Sequence, residues 1–195
     1  KNSTLSLTGT GDGTVCNGDI ITISVVASGG TLPYNYLWNT GATTASINAG
    51  AGTYSVKVTD NIGCNLTDLI IITNNPVLTA NAGADVIVCN AKNATLNAAG
   101  VGGNGVYTYK WSTGSTSSSI SMTSGTYTVT VTDGIACKAT DNVVVTDNPV
   151  LSIKAGNDTV ACFGATIKIS AKASGGSGVY TQWWSNSDSG AVATV

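Results

Sequence analysis

The feature that most constrains this chain is a pattern of residues that returns after 73 positions. The segment from Tyr34 to Trp38 recurs from Tyr107 to Trp111, and Cys64 recurs as Cys137, each 73 positions later. A third copy reaches Trp184, again 73 positions beyond Trp111. Self-similarity at a fixed period is the signature of a repeat architecture. The sequence therefore predicts a tandem array of repeat 1 (residues 1–76), repeat 2 (77–149) and a shortened repeat 3 (150–195).

Each copy consists of short segments in which apolar and polar residues alternate. After the first cysteine, Ile21, Ile23 and Val25 fall on one side of the segment, while Thr22 and Ser24 fall on the other. A period of two with one apolar side is typical of a half-buried β-strand. About seven such segments per copy, with glycine-rich turns and no helical period, predict an all-β protein in which each copy is a β-sandwich.

The five cysteines follow the same period. Cys16, Cys89 and Cys162 occupy one position of the repeat, and Cys64 and Cys137 occupy another, 48 residues after the first. The chain has no Cys-x-x-Cys and no histidine, so a zinc site has no ligand set. We therefore expect one disulfide within each complete repeat, joining Cys16 to Cys64 and Cys89 to Cys137 at one end of the sandwich. Such bonds indicate an oxidising, extracytoplasmic setting.

Cys162 has no counterpart 48 residues further on, because that position lies beyond residue 195. We therefore expect the sequence to be a segment of a longer protein, with any export signal or anchor outside it.

The charged residues argue against catalysis and nucleic-acid binding. They make up 9% of the chain, and all of them are Lys or Asp. Without His or Glu the common general acids and bases are missing, so we expect no enzyme. A net charge of -2 and no Arg leave no basic face for a phosphate backbone, so nucleic acid is not an expected partner. The longest aliphatic run, from Leu69 to Ile72, is far shorter than the roughly 20 residues of a membrane helix.

Two further motifs resemble ligand sites, but a structural role is the favoured explanation for each. The run from Gly100 to Gly105 fits Gly-x-Gly-x-x-Gly, but the dinucleotide mechanism needs a helix after it, and a strand follows here. Asp12 recurs as Asp85 and Asp158, yet calcium needs six to eight oxygen ligands, and aspartate more often caps turns. We therefore expect no cofactor and no metal.

The aromatic strand carries the remaining candidate site. Tyr36 and Trp38 share one face, which favours packing in the core over stacking on a sugar. The position between them points the other way and varies, as Leu37, Lys110 and Trp183. Because a core does not require an outward tryptophan, Trp183 is the candidate surface contact to a neighbour or ligand.

Two longer motifs carry a family resemblance. The residues from Gly29 to Thr44 and from Gly52 to Cys64 resemble the SprB-type repeats of Bacteroidetes surface proteins, and more widely the polycystic-kidney-disease (PKD) and immunoglobulin-like (Ig-like) modules of secreted adhesins. Repeat 2 departs from the pattern with Val106 in place of proline and with Gly-Ile-Ala-Cys at 134–137. The resemblance implies a long adhesin at the extracellular cell surface, exported by type IX secretion and used in gliding motility or attachment.

These observations lead to one main functional expectation and one alternative. The chain is expected to be a structural repeat segment of a filamentous adhesin and to act as a mechanically stable stalk. Its expected partners are neighbouring repeats of the same chain, with surface polysaccharide or other adhesin chains as further partners. The alternative is a carbohydrate-binding accessory region of a secreted polysaccharide-degrading enzyme, in which Trp183 contacts the sugar.

Overall fold

The computed structural model describes residues 4–194, which form strands, turns and loops. No helix in this part of the chain is long and apolar enough to cross a membrane. The contacts divide the chain into two compact units. Unit 1 holds the chain up to Ala80 together with Gly100–Thr108 and Val131–Ala139, and unit 2 holds the rest. Unit 1 thus combines repeat 1 with two short regions of repeat 2, and the three repeat boundaries stay a prediction.

Repeat 1 is a two-sheet sandwich. Its strands are β1 (Ser6–Gly9), β2 (Gly13–Val15), β3 (Ile21–Ser28), β4 (Asn35–Trp38), β5 (Ser46–Ala49), β6 (Gly52–Thr59) and β7 (Asn65–Asn74). One sheet has the order β1-β3-β5 and the other the order β2-β7-β6-β4. All neighbours are antiparallel except β2 and β7, which run parallel. This arrangement confirms the predicted all-β, Ig-like fold.

The core of repeat 1 lies between these two sheets. Ile23 and Val25 of β3 are fully buried, as the alternation in the sequence predicts. Trp38 of β4 is 2% exposed and packs with them, so the aromatic face is a core face. The hairpin of β6 and β7 covers this core with four apolar side chains: Val56, Val58, Ile70 and Ile72.

Repeat 2 repeats this plan with one difference. Its strands are β8 (Thr79–Asn81), β9 (Val86–Cys89), β10 (Ala94–Asn97), β11 (Ala99–Val101), β12 (Tyr107–Trp111), β13 (Ser119–Met122), β14 (Gly125–Asp133) and β15 (Lys138–Asn148). The order β12-β14-β15-β9 copies the four-stranded sheet, and β9 is again parallel to β15. The counterpart of β3 is divided into β10 and β11 at Ala98, because alanine replaces valine at positions 98 and 99 and favours strands less.

The described part of repeat 3 contains the three-stranded sheet. It consists of β16 (Ser152–Ala155), β17 (Lys168–Ser174) and β18 (Val192–Thr194) in the order β16-β17-β18. The segment that corresponds to β4 makes one isolated bridge, between Trp183 and Ser189.

The predicted disulfide pairing is wrong, and the parallel pairing of β2 with β7 gives the reason. Val15 lies opposite Asn74 at the end of β7, so Cys16 lies at that end, whereas Cys64 precedes the first residue of β7. The 10 residues of β7 rise about 3.3 Å each and separate the two cysteines by roughly 30 Å. A disulfide needs Cα atoms within about 7 Å. The two cysteines of one repeat therefore lie at opposite ends of the sandwich.

Repeat 2 has the same geometry, so Cys89 and Cys137 cannot pair either. Cys89 lies opposite Asn148 at the end of β15, and Cys137 precedes the first residue of that strand. The bond that forms instead joins Cys16 to Cys137.

Candidate functional site: the junction of repeats 1 and 2

A disulfide joins the two repeats within unit 1. Cys16 and Cys137 are separated by 121 residues in the sequence, and their Cα atoms are 5.5 Å apart. The separation is one 73-residue period more than the 48 residues expected within a repeat. The bond therefore connects the first cysteine of one copy to the second cysteine of the next.

The side of the junction that repeat 1 supplies is the end of β2 and β7, which we call the socket (Cys16, Asn75 and Pro76). The amide of Asn75 donates to the carbonyl of Val15 at 2.8 Å and continues the parallel pairing past the strand. Asn75 is only 3% exposed, although it is a polar residue in a link between repeats. This position is buried because repeat 2 covers it.

The side that repeat 2 supplies is the turn between β14 and β15, residues 133–137. The carboxylate of Asp133 holds this turn, because its Oδ1 accepts from the amides of Ile135 at 3.1 Å and Cys137 at 2.9 Å. Its Oδ2 accepts from the amide of Asn104 at 3.3 Å. Aspartate suits a turn for this reason: its short side chain reaches the amides that follow it.

The side chain of Asn75 joins the socket to the turn. Its Nδ2 donates to Oδ2 of Asp133 at 2.5 Å and lies 3.4 Å from Sγ of Cys137. Asn75 thus meets both the carboxylate that shapes the turn and the sulfur that closes the disulfide. Since a buried polar group without a partner costs free energy, these contacts favour a single register of the two repeats.

The environment of Asp133 favours its charged form. Burial disfavours the carboxylate and by itself raises the pKa. The amides of Cys137 and Ile135 donate to the carboxylate and lower the pKa, and the Asn75 side chain and the Asn104 amide act in the same direction. These hydrogen bonds outweigh burial, so the pKa of Asp133 lies below its ordinary value of 3.8.

A glycine contact completes the junction next to the link. The amide of Gly103 donates to the carbonyl of Pro76 at 3.2 Å. Gly102 adopts φ +82, and a Cβ there would lie 1.9 Å from the carbonyl oxygen of Val77. Only glycine allows this approach of two backbones. The contact recurs in unit 2, where Gly176 donates to the carbonyl of Pro149 at 2.8 Å.

A cleft of about 540 Å³ opens beside the disulfide. Asp19 and Lys138 line it together with both bonded cysteines. The arrangement is a covalent cross-link supported by hydrogen bonds.

The other predicted site residues are not part of this junction. Cys64, Cys89 and Cys162 are unpaired and exposed. Trp183 is 74% exposed, as expected for the outward position, and no described contact identifies its ligand. The recurring aspartates accept hydrogen bonds from backbone amides. Asp12 accepts from the amide of Ile71 at 2.7 Å, and its copy Asp85 accepts from the amide of Val144 at 2.8 Å. Within residues 4–194 no three His, Cys, Asp or Glu side chains form a group able to hold a metal.

Sequence reasoning missed three residues of the junction, namely Asn75, Gly102 and Asp133. Each has a copy 73 positions away: the copies are Asn148, Gly29 and Asp60, respectively. Recurrence alone, however, does not distinguish a junction residue from a turn residue. The cysteine spacing could have indicated the junction. A separation of 121 residues is 48 plus one period of 73, so it is as compatible with the repeat as a separation of 48.

Comparison with known proteins supports the repeat assignment over a short stretch. Residues 21–43 match the SprB repeat family, which confirms the resemblance for that part of the chain. Comparison with curated protein sequences gives no match.

Solved structures give distant likenesses to multi-domain proteins. Three N-terminal domains of the highly immunogenic outer capsid protein of bacteriophage RB49 are 15% identical, with 100% of this chain and 80% of that chain covered and a TM-score of 0.41. A three-Ig segment of titin is 10% identical over 89% of this chain and 76% of that one, with a TM-score of 0.41. Extracellular domains 3–5 of Drosophila OTK are 11% identical, with 86% of this chain and 73% of that chain covered and a TM-score of 0.39.

Proposed function

We propose that this chain is a structural repeat segment of a secreted, filamentous cell-surface adhesin and serves there as a mechanically stable stalk. The observation that supports this function most directly is the Cys16–Cys137 disulfide. A bond within one domain stabilises that domain alone, whereas this bond ties consecutive repeats together. Such a link is useful where the connection between repeats has to resist separation.

The connectivity defines a short covalent route through the molecule. A pull on the two ends runs along the chain to Cys16, crosses to Cys137 and continues along β15. The residues between the two cysteines lie on a parallel branch, so opening of repeat 1 adds little length. Limited extension under load is the property that a stalk needs for transmitting force.

The setting is proposed from three observations together. Residues 21–43 match the SprB repeat, and the resemblance of the longer motifs to such repeats implies a surface adhesin. In this proposal gliding motility or attachment is the cellular role and type IX secretion is the export route. A disulfide requires an oxidising compartment, in keeping with an extracellular location. The partners in this proposal are neighbouring repeats, and surface polysaccharide or other adhesin chains at the adhesive end.

Electron cryo-microscopy of the producing cells, labelled with an antibody against this chain, tests the proposal. We expect surface filaments with a regular axial repeat of about 30 to 45 Å per repeat, the length of strands of about seven residues plus loops. Labelled material without filaments, or beads joined at random angles, would overturn the stalk function.

Single-molecule pulling between the two ends tests the mechanical part. The 121-residue loop hides about 400 Å of chain at about 3.4 Å per residue, so the fully extended oxidised chain is shorter than the reduced chain by that length. Pairing of Cys16 with Cys64 and of Cys89 with Cys137 would hide only about 330 Å. The double variant C16S/C137S is the control, in which oxidised and reduced chains extend equally.

The exposed tryptophan favours a second candidate function, a carbohydrate-binding accessory region. Trp183 is 74% exposed and lines a cleft of about 410 Å³ with Tyr180 and Leu151. Aromatic faces pair with apolar sugar faces much as they do with other rings. Glycan-array binding that disappears in W183A would support this function, and absence of binding by the unmodified chain would remove it.

A further inference from the structure

The structure contains one closed junction and, in unit 2, half of another. At the closed junction the socket holds Cys16, Asn75 and Pro76. The same positions in repeat 2 are Cys89, Asn148 and Pro149. The parallel pairing places Cys89 opposite Asn148, and the amide of Asn90 donates to the carbonyl of Asn148 at 3.2 Å. Repeat 2 therefore presents a second socket, with the same residue types at the end of the same pair of parallel strands.

Two side chains that the closed junction uses, those of the cysteine and the asparagine, have no partner at the second socket. Cys89 is unpaired and exposed. Within residues 4–194 the side chain of Asn148 makes no hydrogen bond, whereas that of Asn75 bonds Asp133 and lies against Cys137. Gly176 already donates to the carbonyl of Pro149, so repeat 3 is seated as repeat 2 is on Pro76. What the second socket lacks is a turn that carries an aspartate and a cysteine.

An apolar sheet face lies in the same unit and is only partly covered. In repeat 1 the hairpin of β6 and β7 buries Ile23 and Trp38 to 0% and 2% exposure. In repeat 3 the corresponding residues, Ile169 and Trp184, remain half-buried. They line a cleft of about 430 Å³ together with Ile167.

A polar atom beside this face also lacks a partner. The Oε1 atom of Gln182 is buried and accepts no hydrogen bond. Gln182 occupies the position of Tyr36, which in repeat 1 lies on β4 opposite Val58 of β6. An added strand would bring backbone amides along this edge, as β6 does along β4.

We propose that the second socket and the sheet face of repeat 3 together form one docking surface for a β-hairpin of the type Gly125–Asn148. Its apolar residues cover Ile169 and Trp184, and the aspartate of its turn accepts from Asn148. The turn cysteine then forms a disulfide with Cys89, in which two thiols lose two electrons and two protons to an oxidant such as glutathione disulfide. This assembly site does not depend on the stalk function, because it follows from the repeat geometry alone.

The test extends the full chain after Val195 with a copy of its own residues 123–149, which places every appended residue 73 positions after its original. The extended chain is refolded with a glutathione redox pair and digested without reduction for peptide mass spectrometry. We expect Cys89 bonded to the appended copy of Cys137, with the Cys16–Cys137 bond retained. Hydrogen exchange at β17 should slow at least tenfold relative to the unextended chain.

The control is the same extended chain with the appended cysteine replaced by serine. It should keep the slow exchange at β17 and leave Cys89 free, which separates docking from bond formation. Cys89 bonded instead to Cys64 or Cys162, or unchanged exchange at β17, would overturn the proposal.

A second measurement covers the case in which the extended chain does not fold. A synthetic peptide of residues 123–148 is added to the unextended chain, whose Cys16–Cys137 bond is intact. Selective mixed disulfide at Cys89, lost in C89S, supports the docking surface. Equal reaction at the three exposed cysteines contradicts it.

Discussion

The turns at residues 60–64 and 133–137 have almost the same internal bonds and very different surroundings. In the first, Oδ1 of Asp60 accepts from the amides of Ile62 at 3.1 Å and Cys64 at 2.8 Å, as Asp133 does in the second. Yet Cys64 is exposed, while Cys137 is 7% exposed and bonded to Cys16. The turn is therefore built by its own repeat, and the neighbouring repeat determines whether its cysteine is used.

The comparison also shows what the neighbour contributes. In the described chain, the Asp60 carboxylate accepts hydrogen bonds only from backbone amides. The Asp133 carboxylate also accepts one from the side chain of Asn75. The turn of repeat 2 even tolerates Ala136 at φ 72, where repeat 1 has Gly63 at φ 92. The junction thus adds a covalent bond and a side-chain hydrogen bond to a turn that folds without them.

The largest effect should come from breaking the disulfide. C137S should lower the free energy of unfolding of the oxidised chain by about 2 to 5 kcal/mol, because the unfolded chain gains the freedom of a long loop. The matched variant C64S, in the exposed turn, should change it by less than about 0.5 kcal/mol. Denaturant unfolding measures both, and equal losses in the two variants would contradict the assignment.

The next effect should come from the close approach at Gly102. G102A places a Cβ 1.9 Å from the carbonyl oxygen of Val77, so the backbone has to move. G105A is the matched control, because Gly105 has the same φ of +82 and nothing within 4 Å of an added Cβ. G102A should cost at least about 2 kcal/mol more than G105A in thermal or denaturant unfolding. Similar losses would mean that the contact with Val77 is unimportant.

A smaller effect should come from the buried asparagine. N75A removes the side-chain donor of Asp133 and should destabilise the oxidised chain by about 1 to 2 kcal/mol. N148A removes the equivalent side chain from the open socket and should be nearly neutral. If the two variants unfold alike, Asn75 does not distinguish a closed socket from an open one.

The smallest effect should appear on acidification. Because the pKa of Asp133 is lowered in the folded chain, its contribution is present above the unfolded pKa of about 3.9 and is lost as pH falls through the lower folded value. Denaturant midpoints between pH 6 and pH 2 should therefore fall more steeply in the unmodified chain than in D133N. D158N, at an exposed aspartate, should follow the unmodified chain, and parallel curves for D133N would contradict the prediction.

The fold followed from the sequence because its determinants are local and repeated. The alternation at Ile23 and Val25 and the shared face of Tyr36 and Trp38 each depend on period-two geometry. The bond partners did not follow, because they depend on strand direction. The parallel pairing of β2 with β7 sends Cys16 away from Cys64, and spacing along the sequence carries no information about that.

The junction residues were hidden for a related reason. Asn75 reads as a linker residue before a proline, and its burial becomes apparent only when the next repeat is in place. Gly102 reads as a flexible turn, although its φ and the nearby carbonyl of Val77 make it a fixed contact. Both depend on contact between copies, whereas the pattern in the sequence describes one copy at a time.

The disulfide between repeats also bears on how the molecule survives a cut in its backbone. If a protease cuts the backbone once anywhere from residue 17 to residue 136, the two fragments remain attached through Cys16 and Cys137. The covalent link between these two fragments is lost only when the bond is reduced. The link between Asn75 and Leu78, which would be the weakest place in an ordinary string of domains, lies inside the protected stretch. The disulfide thus gives the junction a second covalent connection at the place where a single chain would be most easily cut.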